Sequence, residues 1–152
     1  MSAQPRSTDE TPWYWRSIGS PVEYSAVAEL ARLLIQVASR PMSGITSVQE
    51  LSRAGHMSRR ALQHKCQAAG VHARDCLRFV QCLQCVLLAD QLRWDPAASL
   101  PVGDARTVRH IMARAGLDVG RRPAVDEFVV RQRFVTSESF VRALLAELMS
   151  IS

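Results

Sequence analysis

At 152 residues and 47% hydrophobic content, the chain can build one compact domain or two very small ones around its own core, with no need of disulfides or metal. No run of about 18 uninterrupted apolar residues occurs, and the start from Met1 to Ser7 is polar, so neither a membrane span nor a signal peptide is expected. The formal net charge of +5 favours a polyanionic partner, because each phosphate neutralised by a cation releases condensed counterions, but charge alone does not decide it.

Residues 1–19 hold two prolines, several Ser and Thr, and no helical period, which reads as a disordered tail. Trp13, Tyr14 and Trp15 interrupt it, and this aromatic trio is expected to dock on its own domain rather than on a partner. Ser20-Pro21-Val22-Glu23 combines a Ser cap, Pro at the first helical position and Glu three residues after the cap. Val27, Leu30, Leu33, Leu34 and Val37 follow at three- and four-residue spacing, so a helix is predicted over about 21–39, ended by Pro41.

Ser47-Val48-Gln49-Glu50 reads as a second capping box, opening a short helix that ends near Gly55. Ser58 then caps a new helix that Gly70 closes, with Leu62 and Cys66 inward and Arg59, Arg60, Gln63, His64 and Gln67 outward. From Arg74 to Leu92 a long helix is predicted, apolar on more than one face and therefore buried between other elements. Trp94-Asp95-Pro96 ends it and a loop rich in Pro and Ala follows. Asp104 caps a helix carrying Val108, Ile111, Met112 and Ala115, which stops at Gly116, and a last helical region over 125–148 breaks near Val135-Thr136-Ser137. No period-two pattern appears, so the fold expected is all-α.

Residues 47–67 thus form a capped short helix, a Gly-containing turn and a second capped helix with a basic, amide-rich outer face. Such a helix suits the major groove, where Arg can bond guanine and Gln can bond adenine. Glu50-Leu51-Ser52, Met57-Ser58-Arg59-Arg60-Ala61-Leu62-Gln63-His64-Lys65-Cys66 and Gly70-Val71 resemble, in spacing, the DNA-binding domain of AraC/XylS-type bacterial transcription regulators. The match runs from Val48 to Leu88. It departs from the family pattern at His56 for the turn Gly, Cys66 for Phe, Ala73 for Pro, and Gln81-Cys82-Leu83-Gln84-Cys85 for the linker motif. The resemblance implies groove reading by Arg60, Gln63 and His64, and phosphate contact by Arg59 and Lys65. Ser58 and Gln67 complete that candidate surface.

The family carries a second helix-turn-helix, and two registers are open for it. The stretch 92–117 keeps the family spacing and presents Arg106, Arg109, His110 and Arg114, while 124–148 has the better motif in Phe134 to Ala143. The first is preferred. The architecture expected is a helical bundle with one clear and one degenerate helix-turn-helix joined by a long linker helix. It divides into a tail over 1–19, a first subdomain over 20–92 and a second over 93–152. The 46 residues before the first unit are too few for the sensor barrel usual in the family, so no effector site is expected.

The four cysteines, Cys66, Cys76, Cys82 and Cys85, fall within helical sequence and suit packing in a reducing cytoplasm. Cys82-x-x-Cys85 lacks a second Cys or His pair for zinc. No nucleophile with a base, phosphate loop or carboxylate pair appears, so neither catalysis nor a cofactor or metal is expected. The function expected is sequence-specific binding of double-stranded DNA by a cytoplasmic regulator, a monomer or homodimer, with RNA polymerase or another regulator as further partner. The alternative is a degenerate helix-turn-helix serving as a protein-interaction module.

Overall fold

The computed structural model describes residues 21–40, 44–88 and 94–150. The tail with Trp13, Tyr14 and Trp15, the Ser20 cap and the end of the long helix over 89–92 lie outside the described residues. Among those described, eight helices and no strand occur: α1 (Pro21–Ala38), α2 (Val48–Ala54), α3 (Arg59–Ala68), α4 (Ala73–Leu88), α5 (Pro96–Ser99), α6 (Ala105–Ala115), α7 (Val125–Arg131) and α8 (Glu138–Ser150). The protein is an all-α bundle.

The helix starts follow local chemistry. Ser47 Oγ accepts the Glu50 amide at 3.1 Å and Ser58 Oγ accepts the Ala61 amide at 3.1 Å, each satisfying one of the orphan donors of a first turn. The expected capping box at α2 is only half formed. Glu50 reaches one residue past Ser47 and accepts both the amide and the hydroxyl of Thr46 at 2.7 Å. Asp104 accepts the amides of Arg106 and Thr107 at the start of α6, and Gly116 closes that helix at φ 70°, a left-handed conformation that costs glycine little. The loop expected after Pro96 contains a single helical turn, α5, because Asp95 caps it and Pro96 occupies its first position.

Helix α4 is the hub, packing against α1, α2, α3, α5, α6 and α7. Its residues from Cys76 to Val86 are buried apart from Arg78, as its many-sided apolar pattern requires. Phe79 stacks on Phe128 of α7 with ring centroids 5.6 Å apart. Helix α8 lies along α1, and Leu30, Leu34, Phe140 and Leu144 join the same continuous core as Leu51, Leu62 and Leu77. Two buried glutamines organise the backbone around that core. Gln81 donates to the Ile45 carbonyl at 2.7 Å and so fixes the approach to α2. Gln132 donates to the carbonyls of Val129 and Val135 and accepts from the amides of Phe134 and Val135, which satisfies the connection between α7 and α8.

Candidate nucleic-acid interface

Helix α3 advances about 100° per residue, so Arg59, Gln63, Gln67, Arg60 and His64 fall on one outward arc while Leu62 and Cys66 face the core. All five are exposed, and Leu62 and Cys66 are buried. The residues between α2 and α3, Gly55 to Ser58, set this orientation. His56, and not Gly55, takes the left-handed conformation there, at φ 60°. Gly55 has an ordinary φ of −87°, and its lack of a side chain answers a different need: a Cβ there would stand 2.9 Å from Leu33 Cδ1 on α1.

The arc is not electrostatically compensated. Among the described residues Arg53, Arg59, Arg60 and Arg74 make no ion pair, nor do Arg106 and Arg109 on α6. At the other end of the chain the pattern reverses: Arg121 and Arg131 share Glu127 at 2.7 and 3.0 Å, and Arg142 meets Glu138 at 3.1 Å. The Arg121 guanidinium holds the Glu127 carboxyl below its usual range, with Arg131 adding to it.

Lys65, expected at the phosphates, stands apart from the arc. It sits on the flank of α3 that faces α1, half-buried and ion-paired to Glu29, whose carboxyl it holds below the ordinary range. His64 borders the same small hollow between α1 and α3. Arg59, Gln63 and Gln67 instead line a hollow of about 620 Å³ against His72, Ala73 and Arg74 at the start of α4. His72 and Arg74 were not among the sequence candidates, because only the fold brings the start of α4 beside α3.

Helix α6 contributes a second exposed basic face of Arg106, Arg109 and His110. Arg114 does not belong to it. Its guanidinium donates to the Arg133 carbonyl at 2.7 Å, meets Asp75 at 3.4 Å and lies 4.6 Å from the centre of the Phe134 ring, tying α6 to α4 and to the α7–α8 connection. The two registers weighed for a second reading unit therefore divide its attributes. Residues 92–117 hold a basic exposed helix preceded by one turn only, whereas 124–148 hold two longer helices whose second, α8, is packed along α1 and has its exposed Arg142 paired.

The four cysteines are buried thiols. Burial pushes Cys85 up to about 11 and Cys82 higher still. Among the described residues no cluster of three or more His, Cys, Asp or Glu side chains assembles, and no helix is long and apolar enough to cross a membrane. A third hollow, of about 880 Å³, is largely apolar and lies between α4, α7 and α8, bordered by Leu87, Val130, Leu145 and Met149. Comparison with family models, with curated proteins and with solved structures finds no match to this chain.

Proposed function

We propose that the protein is a sequence-specific DNA-binding regulator of transcription, similar to the AraC/XylS type, in which α2, the residues 55–58 and α3 form the reading unit. The observation that carries this reading is the outward arc of Arg59, Arg60, Gln63, His64 and Gln67, exposed and with no ion pair on its arginines among the described residues. Arginines left unpaired on one face are costly in self-repulsion and useful to a phosphate backbone, and the interspersed amides have the donors and acceptors that base edges require. Arg60, Gln63 and His64 read bases, and Arg59 with Arg74 contacts the flanking strand. Arg106, Arg109 and His110 extend the contact along the duplex. Lys65, on the flank of the arc and paired with Glu29 at the surface, can reach phosphate only by exchanging that carboxylate for it. The protein works in the reducing cytoplasm by occupancy of a promoter, recruiting or blocking RNA polymerase, and its role is binding rather than catalysis.

A second reading, a protein-interaction module, is favoured by the apolar hollow between α7 and α8, where Val130 is 61% and Met149 78% exposed. The two are separated by selection of duplexes from a random library at two salt concentrations, with Arg60→Ala and Gln63→Ala beside the wild type. Enrichment of one site, lost in both variants, with a log–log salt slope of about −0.9 per phosphate contacted, is the expected result. Absence of salt-sensitive duplex binding overturns the regulator reading and leaves the module.

A further inference from the structure

Cys66 and Cys76 are ten residues apart in the chain, yet the fold sets their sulfur atoms 3.8 Å from each other across the contact between α3 and α4. We infer that Cys66 and Cys76 form an oxidative modification site, in which a hydroperoxide converts the two thiols to a disulfide that staples α3 to α4. The pairing stands on its own and does not depend on the DNA-binding reading.

Three observations set this pair apart from Cys82 and Cys85. The first is proximity. Closing 3.8 Å to the S–S bond length of about 2.05 Å takes less than 2 Å of relative movement, within the scope of side-chain rotation and a small helix shift. The second is a route in. Cys66 is only 2% exposed, but it is one of the residues that border the open hollow shared by Arg59, Gln63, His72 and Arg74, whereas neither Cys82 nor Cys85 borders it. The third is inequality between the partners. Cys66 borders the open hollow, whereas Cys76 is fully buried and does not border it, so an oxidant that enters there meets Cys66 first. Cys66 is therefore the attacking sulfur and Cys76 the resolving one.

The chemistry balances with a hydroperoxide as oxidant. The Cys66 thiolate attacks the terminal peroxide oxygen, the O–O bond breaks, and water or an alcohol leaves with a proton, so Cys66 becomes a sulfenic acid. Cys76 sulfur then attacks Cys66 sulfur. The S–O bond breaks, the Cys76 proton leaves with the hydroxide as water, and the S–S bond forms. Two thiols lose two electrons and two protons, and the peroxide takes them up as it is reduced. A dithiol reductant reverses the step. The staple would fix the end of α3, and with it the arc that begins at Arg59, relative to the start of α4.

The site is well placed for mapping. Trypsin cuts after Lys65, Arg74 and Arg78, so a Cys66–Cys76 bond joins residues 66–74 to residues 75–78, while Cys82 and Cys85 stay together on residues 79–93. The reduced full-length protein is titrated with hydrogen peroxide, denatured in the presence of iodoacetamide so that every remaining thiol is capped, and digested. The expected result is a mass lower by two hydrogen atoms, the 66–74/75–78 peptide pair as the first oxidised species, its loss on reduction, and Cys82 and Cys85 alkylated throughout. In Cys76→Ser the Cys66 sulfenic acid has no resolving partner and is trapped by dimedone, and in Cys66→Ser neither product forms. Circular dichroism of both variants controls for folding, and the wild-type map stands even where a variant does not fold. A first bond within 79–93, a disulfide between two chains, Cys66 passing to sulfinic acid beside a free Cys76, or no oxidation of Cys66 at all each overturns the proposal.

Discussion

His56 carries a side chain through a backbone conformation, φ 60°, that costs an L-residue about 1 kcal/mol and glycine almost nothing. The strain is local to the turn that aims α3. Replacement by glycine removes it but also loosens the unfolded chain, so His56→Gly is expected to raise stability by no more than about 1 kcal/mol. Urea unfolding of the variant measures this, and a lower midpoint would show that His56 makes compensating contacts. Gln84 poses the opposite case. Its Nε2 is buried with no hydrogen-bond partner among the described residues, a desolvation penalty with nothing to offset it. Gln84→Met keeps the volume and discards the orphan donor, and should stabilise by about 1 kcal/mol on the same measurement. That Gln81 and Gln84 interrupt an apolar helix is plain from the sequence, but that Gln81 finds the Ile45 carbonyl is decided by a loop 36 residues away, while Gln84 Nε2 meets no partner among the described residues.

Helix ends were legible because a cap acts on its own first turn. Ser47, Ser58 and Asp104 sit where the sequence placed them, and the arc of α3 follows from a spacing of about 100° per residue. What reaches beyond one turn was not legible: the choice of Thr46 by Glu50, the capture of Lys65 by Glu29, and the withdrawal of Arg114 toward Asp75 and the α7–α8 connection all depend on partners that lie outside the first turn of a helix. The caps also make stability respond to pH. The Thr46 amide and hydroxyl hold Glu50 below the usual carboxylate range, and Thr107, through its hydroxyl and then its amide, does the same for Asp104 with help from the Arg106 amide. Because both groups ionise at lower pH folded than unfolded, their contribution is complete above the unfolded value, about 4, and fades as pH falls through the folded one. Thermal unfolding followed from pH 7 downward should show a smaller acid loss in Glu50→Gln and Asp104→Asn than in the wild type. Parallel curves would mean that the caps do not titrate with folding. The α7–α8 connection is a stricter test of one side chain. Gln132→Ala strips four hydrogen bonds from a buried turn, and a loss of about 2–4 kcal/mol is expected in chemical denaturation, against little change if water takes its place.

At the scale of the molecule, helix α1 does what the local pattern could not announce: it packs both on α3 and α4 and along α8, so the first and last described helices close the bundle together. The Arg32–Glu147 pair at 3.8 Å spans the same contact, and exposed as Arg32 is, it adds little beside the apolar core beneath. A sequence read from caps and periods divides between residues 92 and 93, and one core cluster holds Leu30, Leu34, Leu62 and Phe79 from before that boundary together with Phe128, Phe140 and Leu144 from after it. A continuous core predicts one cooperative transition. Leu144 is fully buried in α8, and truncating it to alanine should cost about 2–5 kcal/mol through lost contacts and the cavity left behind. If the bundle is one unit, native-state hydrogen exchange in Leu144→Ala will show the most protected amides of α1 and α4 losing the same free energy as those of α8. If α8 is a separately stable appendage, its own protection and that of α7 will fall while α4 keeps the wild-type value. The first outcome also bears on how α3 is held. Helix α3, resting on α1 and α4, would then draw its rigidity from the far end of the chain, through contacts of α1 with α8 about a hundred residues or more apart in sequence and adjacent only in the folded bundle.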